Sequence, residues 1–362
     1  MKTRSRIREM IDNGRMPHAV LYSGQEGGHV LLEAHYMLGY LMCDNRQESG
    51  PCMDCRQCRR VVKWMHPDVN LVVPTFDSKQ KSEDVIKPWR EFTTDRDFFT
   101  YDDWSAFMDA GKNPNINREQ TRAVMNSYHL KPYEGANKVF FIWGIEFLGK
   151  ESNRFLKILE EPTDQTYFIL VTHDKQALLP TIISRVQQFD IGRPDDFMME
   201  AYAMEKQWGS KEEIRQAIFL ADGHIVEMKG ILSEQGQQYS SSLLSMLKAA
   251  YSKNGLVMMQ WAEKAAQMPH REYQYFIHYQ LHFIRESLAG ALQNSYQKRL
   301  LPKEQKAADW LLNNVRQSDL IKLVQYLDTY SRALVQNANV KILSSKMILD
   351  YKRLFDRTTY RT

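Results

Sequence analysis

The fold is decided by the stretch Ala19-Val-Leu-Tyr-Ser-Gly-Gln-Glu-Gly-Gly-His-Val-Leu31, which joins an apolar run, a glycine-rich turn and the start of a helix. The short apolar run at 19–22 predicts a buried strand, and the helix that follows extends through Leu41. A strand, a turn and a helix in this order begin an α/β domain. Outward from this stretch, Val69-Asn-Leu-Val-Val73 predicts the next strand.

The same alternation continues further along the chain. Helices are predicted at Arg118–His129 and at Glu151–Glu160, and strands at Lys138–Ile142 and Tyr167–Val171. Strands that alternate with helices of this length predict a mainly parallel sheet, covered by helices on both faces.

Residues 76 to about 115 interrupt the alternation with Asp, Lys and Ser and with several aromatic side chains. These aromatics are Trp89, Phe92, Phe98, Phe99, Tyr101, Trp104 and Phe107. We interpret the segment as an insertion with short helices that pack their own aromatic side chains against each other, and its sequence indicates no function.

Strand patterns largely end after Ile191-Gly-Arg-Pro194, and the rest of the chain has apolar residues at helical spacing. Examples are Ile277, Leu281, Ile284 and Leu288, and again Leu320, Leu323, Leu327 and Leu334. We predict three domains: an α/β core at 1–192, a small helical domain at 193–235 and a larger helical bundle at 236–362.

The bulk composition is that of a soluble globular protein. Of 362 residues, 43% are hydrophobic and 25% are charged, and no apolar run reaches the length of a membrane span. The N-terminus is basic without the apolar core of a secretory signal, so we expect a cytoplasmic protein. The 48 basic residues against 44 acidic ones leave a net charge of +4, which does not by itself indicate a nucleic-acid binder.

The four cysteines, Cys43, Cys52, Cys55 and Cys58, all lie in one short segment at 43–58. Four thiolates brought together by tight Cys-x2-Cys turns are a ligand set for tetrahedral zinc, and a full shell of four leaves no position for water. The spacing therefore predicts a structural zinc knot. Unligated thiols and a redox Cys-x2-Cys pair are the alternatives, and His66 is a weak rival ligand.

The glycine-rich turn at Gly24, Gly27 and Gly28 stands where a phosphate-binding loop would lie. A working loop of the form G-x-x-x-x-G-K-[ST] supplies backbone N–H groups, a lysine for the phosphates and a hydroxyl for magnesium. The last three motif positions here carry His29, Val30 and Leu31. We therefore expect no ATP hydrolysis, although the N-terminus of the helix could hold an anion weakly.

The second half of such a site is an acid that follows an apolar strand and orients magnesium. After the strand at 138–142 stand Trp143 and Gly144, and the nearest acid, Glu146, is displaced along the chain. The sequence thus lacks the lysine, the hydroxyl and the acid together.

Several segments, in the right order, resemble bacterial DNA polymerase III clamp-loader subunits of the AAA+ superfamily. Besides the degenerate loop and the cysteine knot, these are Asn13–Ala19, His66-Pro-Asp68, Asn153-Arg-Phe-Leu-Lys-Ile-Leu-Glu-Glu-Pro162 and Leu179-Pro-Thr-Ile-Ile-Ser-Arg185. Because the hydrolysing motor subunit keeps its lysine and acid, the degenerate site selects the delta-prime family. The looser match of Gln336–Lys341 to the last helix of the family's collar agrees with this.

The resemblance implies a helical lid and a helical collar after the AAA+ core, and a hetero-pentameric ring with the motor (gamma/tau) and delta subunits. That ring loads the sliding clamp on primed DNA. It also implies that Arg185, supported by Ser184, is offered to the ATP site of the neighbouring motor subunit. The family motif usually continues with Cys where this chain has Val186. Lys157, Glu160 and Glu161 are interpreted as a helix face without a catalytic role.

Two other functions remain open on the sequence alone. One is an active AAA+ ATPase with a divergent loop. The other is a zinc-ribbon protein that binds nucleic acid through the basic residues Arg56, Arg59, Arg60 and Lys63, which could equally form the solvated face of a helix.

Overall fold

The computed structural model describes residues 2–77, 79–110, 113–161, 163–221, 223–292, 300, 302–335 and 338–356. The chain divides into two compact units. One comprises Met1–Asp195 and Gly223–Val226, and the other comprises Asp196–Asp222 and Glu227–Thr362.

A parallel sheet forms the centre of the first unit. Its strands, among the described residues, are β1 (Ala19–Gly24), β2 (Val69–Val72), β3 (Lys138–Trp143), β4 (Thr166–Thr172) and β5 (Gln187–Ile191). They lie in the order β2-β3-β4-β1-β5, and every neighbouring pair is parallel. The predicted parallel α/β sheet is therefore confirmed.

Helices surround this sheet on both faces. They are α1 (Lys2–Asp12), α2 (Val30–Met42), α3 (Arg56–Val62), α4 (Ser82–Thr93), α5 (Tyr101–Phe107), α6 (Arg118–Tyr128), α7 (Ser152–Glu160) and α8 (Pro180–Ile183), with short 3-10 helices at Ile145–Glu151 and Lys175–Ala177.

Alternate side chains of strands β1 to β4 enter two separate cores, as the two-residue period of a strand requires. On β3, Phe141 and Trp143 pack into one core with α2 and α4, whereas Phe140 and Ile142 pack into the other with α6 and α7. All four side chains are almost completely buried. This burial on both faces explains why β3 is apolar at consecutive positions.

The insertion forms the two short helices α4 and α5, as predicted, but its aromatic side chains do more than pack against each other. The ring centroids of Trp89 and Phe99 lie 5.0 and 5.5 Å from that of Trp143 on β3, and Trp89 also contacts Trp64. The predicted packing of the insertion's aromatic side chains against each other is confirmed, and these rings also complete the core on one face of the sheet.

The second unit is helical throughout its described residues. Its helices, counting the start of α11 that belongs to the first unit, are α9 (Asp196–Glu205), α10 (Lys211–Leu220), α11 (Ile225–Leu232), α12 (Glu234–Tyr251), α13 (Gly255–Ala265), α14 (His270–Leu292), α15 (Pro302–Asn314), α16 (Gln317–Val335) and α17 (Val340–Asp356).

The apolar spacing noted in the sequence marks the core of this bundle. Ile277, Leu281 and Ile284 on α14 are buried with Leu320, Leu323, Leu327 and Leu334 on α16, and Leu288 packs against them partly buried. Division of the helical part into domains at 193–235 and 236–362 stays a prediction. Of the predicted collar motif Gln336–Lys341, residues 336 and 337 lie outside the described residues. In the described part of the chain, no helix is long and apolar enough to cross a membrane.

Asp68 fixes the loop that leads into β3. Its buried carboxylate accepts hydrogen bonds from the backbone N–H groups of Tyr133, Glu134 (3.0 Å) and Gly135 (2.7 Å). Burial alone would raise the pKa of Asp68, but these three donors outweigh it and hold the pKa below its usual range. The acid of the His66-Pro-Asp68 motif thus has a structural role.

Replacing Asp68 with Ala should lower the free energy of unfolding by about 2–3 kcal/mol, because charged hydrogen bonds are lost and loop N–H groups lose their acceptor. Chemical denaturation of both proteins measures this. The exposed Asp164 provides a control, since Asp164→Ala should change stability by less than about 0.5 kcal/mol. Equal stabilities of the Asp68 and Asp164 variants would refute the anchoring role.

Candidate functional site

The four cysteines come together at the end of α2 and the start of α3. All four Sγ atoms lie within 4.8 Å of one another, and those of Cys52 and Cys58 are 3.9 Å apart. Cys43 and Cys58 are buried, whereas Cys52 and Cys55 are partly exposed. Among the described residues, these four cysteines form the one cluster of three or more His, Cys, Asp or Glu side chains whose ligand atoms lie close enough together to hold a metal ion.

Backbone N–H groups point at three of the sulfurs. The N–H of Cys52 donates to Cys43 Sγ (3.4 Å), that of Cys55 to Cys52 Sγ (3.3 Å), and that of Cys58 to Cys55 Sγ (3.3 Å). Met53, with φ of 61°, forms the turn between the second and third cysteines. Such donors stabilise thiolates more than thiols.

The pKa values of the cysteines differ according to these contacts. The N–H groups of Cys55 and Asp54 lower the pKa of Cys52 to about 7. Burial raises the pKa values of Cys43 and Cys58 without a metal. A cation at the centre of the cluster would therefore offset the cost of ionising two buried thiols.

His66 is not a fifth candidate ligand. Its Nε2 is 2.9 Å from Gln57 Oε1, and its Nδ1 accepts the backbone N–H of Asp68 at 3.1 Å. Both ring nitrogens are thus used, which leaves a set of four sulfurs. Four thiolates at these separations fit a closed tetrahedral site for a soft divalent ion.

The glycine-rich loop connects β1 directly to α2, as the sequence predicted. Gly27 has φ of +69°, and a Cβ atom built on it would lie 2.3 Å from the ring of His224. Gly24 is equally tight, since its Cβ would lie 2.5 Å from Ile191 O. The loop therefore needs glycine at both positions for packing alone, and His224, which sequence reasoning missed, lies against it.

The three degenerate motif positions differ in their surroundings. His29 begins α2 without a side-chain cap, and its Nδ1 is buried without a hydrogen-bond partner in the described chain. Burial lowers its pKa, which favours the neutral ring. Val30 is buried and Leu31 is partly buried, and both contribute to the core beneath the loop. Neither a cation nor a hydroxyl stands where phosphate and magnesium would need one.

An acidic side chain replaces the missing positive charge in this loop. Glu26 Oε1 accepts the backbone N–H of Tyr101 at 2.6 Å, which ties the loop to the insertion. Burial, followed by the charges of nearby acids, raises the pKa of Glu26 to about 7. On the first turn of α2, Glu33 forms an ion pair with Arg4 at 2.7 Å. Neither carboxyl group supplies the positive charge that a phosphate would need.

The displaced acid Glu146 takes part in the same network. Its Oε1 accepts the hydroxyl of Tyr101 (2.9 Å) and the backbone N–H of His173 (3.0 Å). The ring of Tyr101 stacks near Trp143, with centroids 4.4 Å apart. One oxygen of Glu146 is thus held by the insertion and by the backbone after β4, whereas its Oε2 is buried without a hydrogen-bond partner among the described residues.

Trp143 and Gly144 occupy the end of β3 and the turn after it. Trp143 is buried, and its Nε1 lies 3.3 Å from His173 Nε2. Gly144 has φ of +78° and is packed against Phe147 and Pro74. These positions support the aromatic core and offer no metal ligand.

Arg185 lies at the end of α8, with part of its side chain exposed. Its Nη2 is 2.6 Å from Glu160 Oε1, and its Nη1 donates to Thr181 O (2.9 Å) and Ser184 Oγ (3.2 Å). The predicted pair Ser184 and Arg185 is therefore in contact. The ion pair to Glu160, which was interpreted as a plain helix face, was missed because the two residues are on different elements.

The basic residues beside the cysteine knot are mostly paired. Arg56 and Arg60 both contact Glu134, the former at 3.4 Å, and Arg59 lies 3.5 Å from Asp54. Such neutralised surfaces attract phosphate weakly.

Together these features define an α/β protein with a parallel sheet, a four-cysteine cluster and a phosphate-loop position without its functional groups. Comparison with known proteins agrees with that class. The model of the family described as DNA polymerase III, delta subunit, matches residues 1–195. Because it covers more than half of the chain, the chain belongs to this family, and the predicted resemblance is confirmed.

Relatives with curated names point the same way. DNA polymerase III subunit delta' of Yersinia pestis is 24% identical over 253 residues, 68% of this chain and 64% of the relative. The subunit delta' of Bacillus subtilis is 28% identical over 180 residues, 49% of this chain and 43% of the relative. Subunit tau of Escherichia coli is 26% identical over 276 residues, 70% of this chain and 37% of the relative. In each case the match spans less than two thirds of the relative.

The partly buried carboxyl of Glu26 makes stability depend on pH. The pKa of Glu26 is raised to about 7 in the folded chain, so the folded state keeps this proton to a higher pH than the unfolded state does. The resulting contribution to the free energy of unfolding is complete below about pH 4.5 and is lost as the pH rises through 7. Glu26→Gln keeps an acceptor for the Tyr101 N–H and removes the ionisation. The parent should lose this contribution as the pH is raised from 5 to 8, so the stability of the variant relative to the parent should be higher at pH 8 than at pH 5.

Thermal unfolding of both proteins at the two pH values measures the difference. Glu48→Gln, at an exposed position, is the matched control, and its difference from the parent should be the same at both pH values. A Glu26→Gln difference that is independent of pH would contradict the burial of a titrating carboxyl in the loop.

Proposed function

We propose that this chain is a delta-prime-type subunit of a bacterial DNA polymerase III clamp loader, acting in DNA replication. In that assembly it would be a stator, an AAA+ subunit that does not hydrolyse ATP. Its partners would be the motor (gamma/tau) and delta subunits in a five-membered ring that loads the sliding clamp on primed DNA. Family membership and the named relatives support this.

The observation that carries the stator role is the state of the phosphate loop. The motif positions for the lysine and the hydroxyl are Val30 and Leu31, and the acids Glu26 and Glu146 are bonded to Tyr101 of the insertion. Phosphoryl transfer depends almost entirely on positioning and on compensating negative charge. A loop that presents carboxylates and no cation supports neither.

The position of Arg185 supports a role at the ATP site of a neighbouring subunit. A guanidinium beside a transferred phosphoryl group stabilises the charge that develops there, and Arg185 keeps part of its side chain at the surface. Val186, in place of the family's usual Cys, is buried in the sheet's second core and leaves this charge unchanged. In this proposal the segments at 193–235 and 236–362 would form the lid and the collar, and contact with DNA would be to phosphates and shared with the other subunits.

The first test measures ATP binding and hydrolysis by the purified chain, alone and in the complete ring with primed DNA. We expect no turnover by the chain alone. In the ring, Arg185→Ala should leave assembly intact and slow hydrolysis at the neighbouring site by about 10³-fold or more, while sites elsewhere in the ring keep their rate.

Arg59→Ala removes another exposed arginine with an ion pair and should leave the rate of the ring unchanged. Turnover by the isolated chain would identify a divergent ATPase instead. Undiminished ring activity with Arg185→Ala would exclude the trans arginine. Tight binding of single-stranded DNA by the chain alone, lost on neutralising Arg56 and Arg60, would favour a nucleic-acid-binding zinc ribbon.

The cysteine knot is proposed to hold a structural zinc ion. Bound to Cys43, Cys52, Cys55 and Cys58, it would cross-link the segment between α2 and α3 and leave no position for substrate. We expect about one zinc per chain in metal analysis. Cys55→Ser should lose the metal and lower the melting temperature, and a strong chelator should bring the parent to a similar value.

Ser49→Ala, in the same segment but away from the sulfurs, should retain both zinc and stability. A parent protein that is free of metal and melts at the same temperature with and without chelator would refute the structural zinc site.

A further inference from the structure

The ends of α7 and α8 bring an acid and the candidate arginine finger into contact. Glu160 is the last residue of α7, and Arg185 lies two residues after the end of α8. The Oε1 atom of Glu160 lies 2.6 Å from Nη2 of Arg185, and the two side chains are 46% and 34% exposed, respectively. The pair is thus formed at the surface and remains within reach of another molecule.

Glu160 is one of three acceptors that surround one end of the guanidinium. Nη1 donates to both the carbonyl of Thr181 and the hydroxyl of Ser184, whereas Glu160 contacts Nη2. A guanidinium has five N–H donors in a rigid plane. Within the described chain no acceptor contacts Nε, so part of the group stays available to an incoming oxygen while the rest is fixed.

The contact with Arg185 is specific to Glu160 and is not shared by the neighbouring acid Glu161. Both glutamates are exposed at the end of α7, and only Glu160 forms an ion pair with Arg185 in the described structure. Helix α7 ends at Glu160, and the side chain of this last helical residue reaches Arg185.

We propose that Glu160 is a positioning residue for Arg185, and this rests on the proposed trans role of that arginine. A free arginine side chain loses rotamer entropy when it is fixed in one position. By holding Nη2 while Ser184 and Thr181 hold Nη1, Glu160 restrains the guanidinium before the neighbouring triphosphate arrives. The Arg185 side chain then loses less conformational freedom when the transition state forms.

The size of the effect is bounded by the kind of contact. Exposed ion pairs contribute up to about 1 kcal/mol, so loss of Glu160 should lower the rate constant at the neighbouring site by about two- to fivefold. Loss of Arg185 removes the stabilising charge itself and should lower it far more. Because ATP binds to the motor subunit's own loop, the KM for ATP should stay unchanged when Glu160 is replaced.

The test uses the complete ring with primed DNA and measures kcat and KM for ATP. The variants are Glu160→Ala, Glu160→Gln, Arg185→Ala and the double variant Glu160→Ala/Arg185→Ala. Glu161→Ala is the matched control, since it removes the same charge one residue away. Assembly of each ring is checked by size-exclusion chromatography with mass measurement.

We expect a lower kcat with Glu160→Ala, a smaller decrease with Glu160→Gln, whose amide oxygen still accepts from Nη2, and no change with Glu161→Ala. In the Arg185→Ala background, the Glu160 replacement should have no further effect. A Glu160→Ala ring that is as fast as the parent, or faster, while Arg185→Ala is slow would overturn the positioning role and leave the trans arginine in place.

An equal decrease in both backgrounds would show that Glu160 acts on folding or assembly, which also overturns the proposal. If Arg185→Ala itself has no effect, the trans arginine fails, and the role of Glu160 fails with it. The two failures are therefore distinguishable in one set of measurements.

Discussion

The central constraint on the first unit is that its parallel sheet is buried on both faces. Parallel strands need a helix or loop between each pair, and their carboxyl ends meet at one edge, where ligands of such sheets bind. In this chain that edge collects the turn after β1, the turn after β3 and the end of β4. Tyr101 of the insertion reaches the same edge, bonded to Glu26 and Glu146. The place where a nucleotide would bind is therefore part of the protein's own packing.

The sequence predicted those features that depend on neighbours along the chain. Strands β1 to β4, the turn at Gly24–Gly28 and the apolar spacing of α14 and α16 follow from local patterns, the cysteine cluster follows from Cys-x2-Cys spacing, and β5 was not predicted. Contacts between distant segments could not be read in this way. Glu26 and Tyr101 are 75 positions apart, and nothing in the sequence around either residue indicates that the two are in contact. The aromatic residues of the insertion indicated burial without indicating that Trp143 of β3 was their partner.

Two of the missed contacts concern charged or polar groups whose roles depend on geometry alone. Glu160 and Glu161 are equivalent in sequence, and only the end of α7 decides which one meets Arg185. His224 lies far from Gly27 along the chain, yet the position of its ring leaves no space for a Cβ atom there. A glycine that suggests phosphate binding in the sequence is thus required by packing, which weakens the inference from glycine-rich loops to nucleotides when the lysine is missing.

The cysteine knot and Arg185 differ in how they depend on the phosphate loop. The knot depends on sulfurs brought together by local turns, so its chemistry is independent of whether the phosphate loop works. In the proposed function Arg185 would act at a site on another chain, while Glu26 of this chain's own loop is bonded to Tyr101 of the insertion. Val30 and Leu31, at the positions of the lysine and the hydroxyl in a working loop, contribute to the core beneath the loop instead. In the proposed trans role, the guanidinium of Arg185 would need to remain charged, partly exposed and held in place.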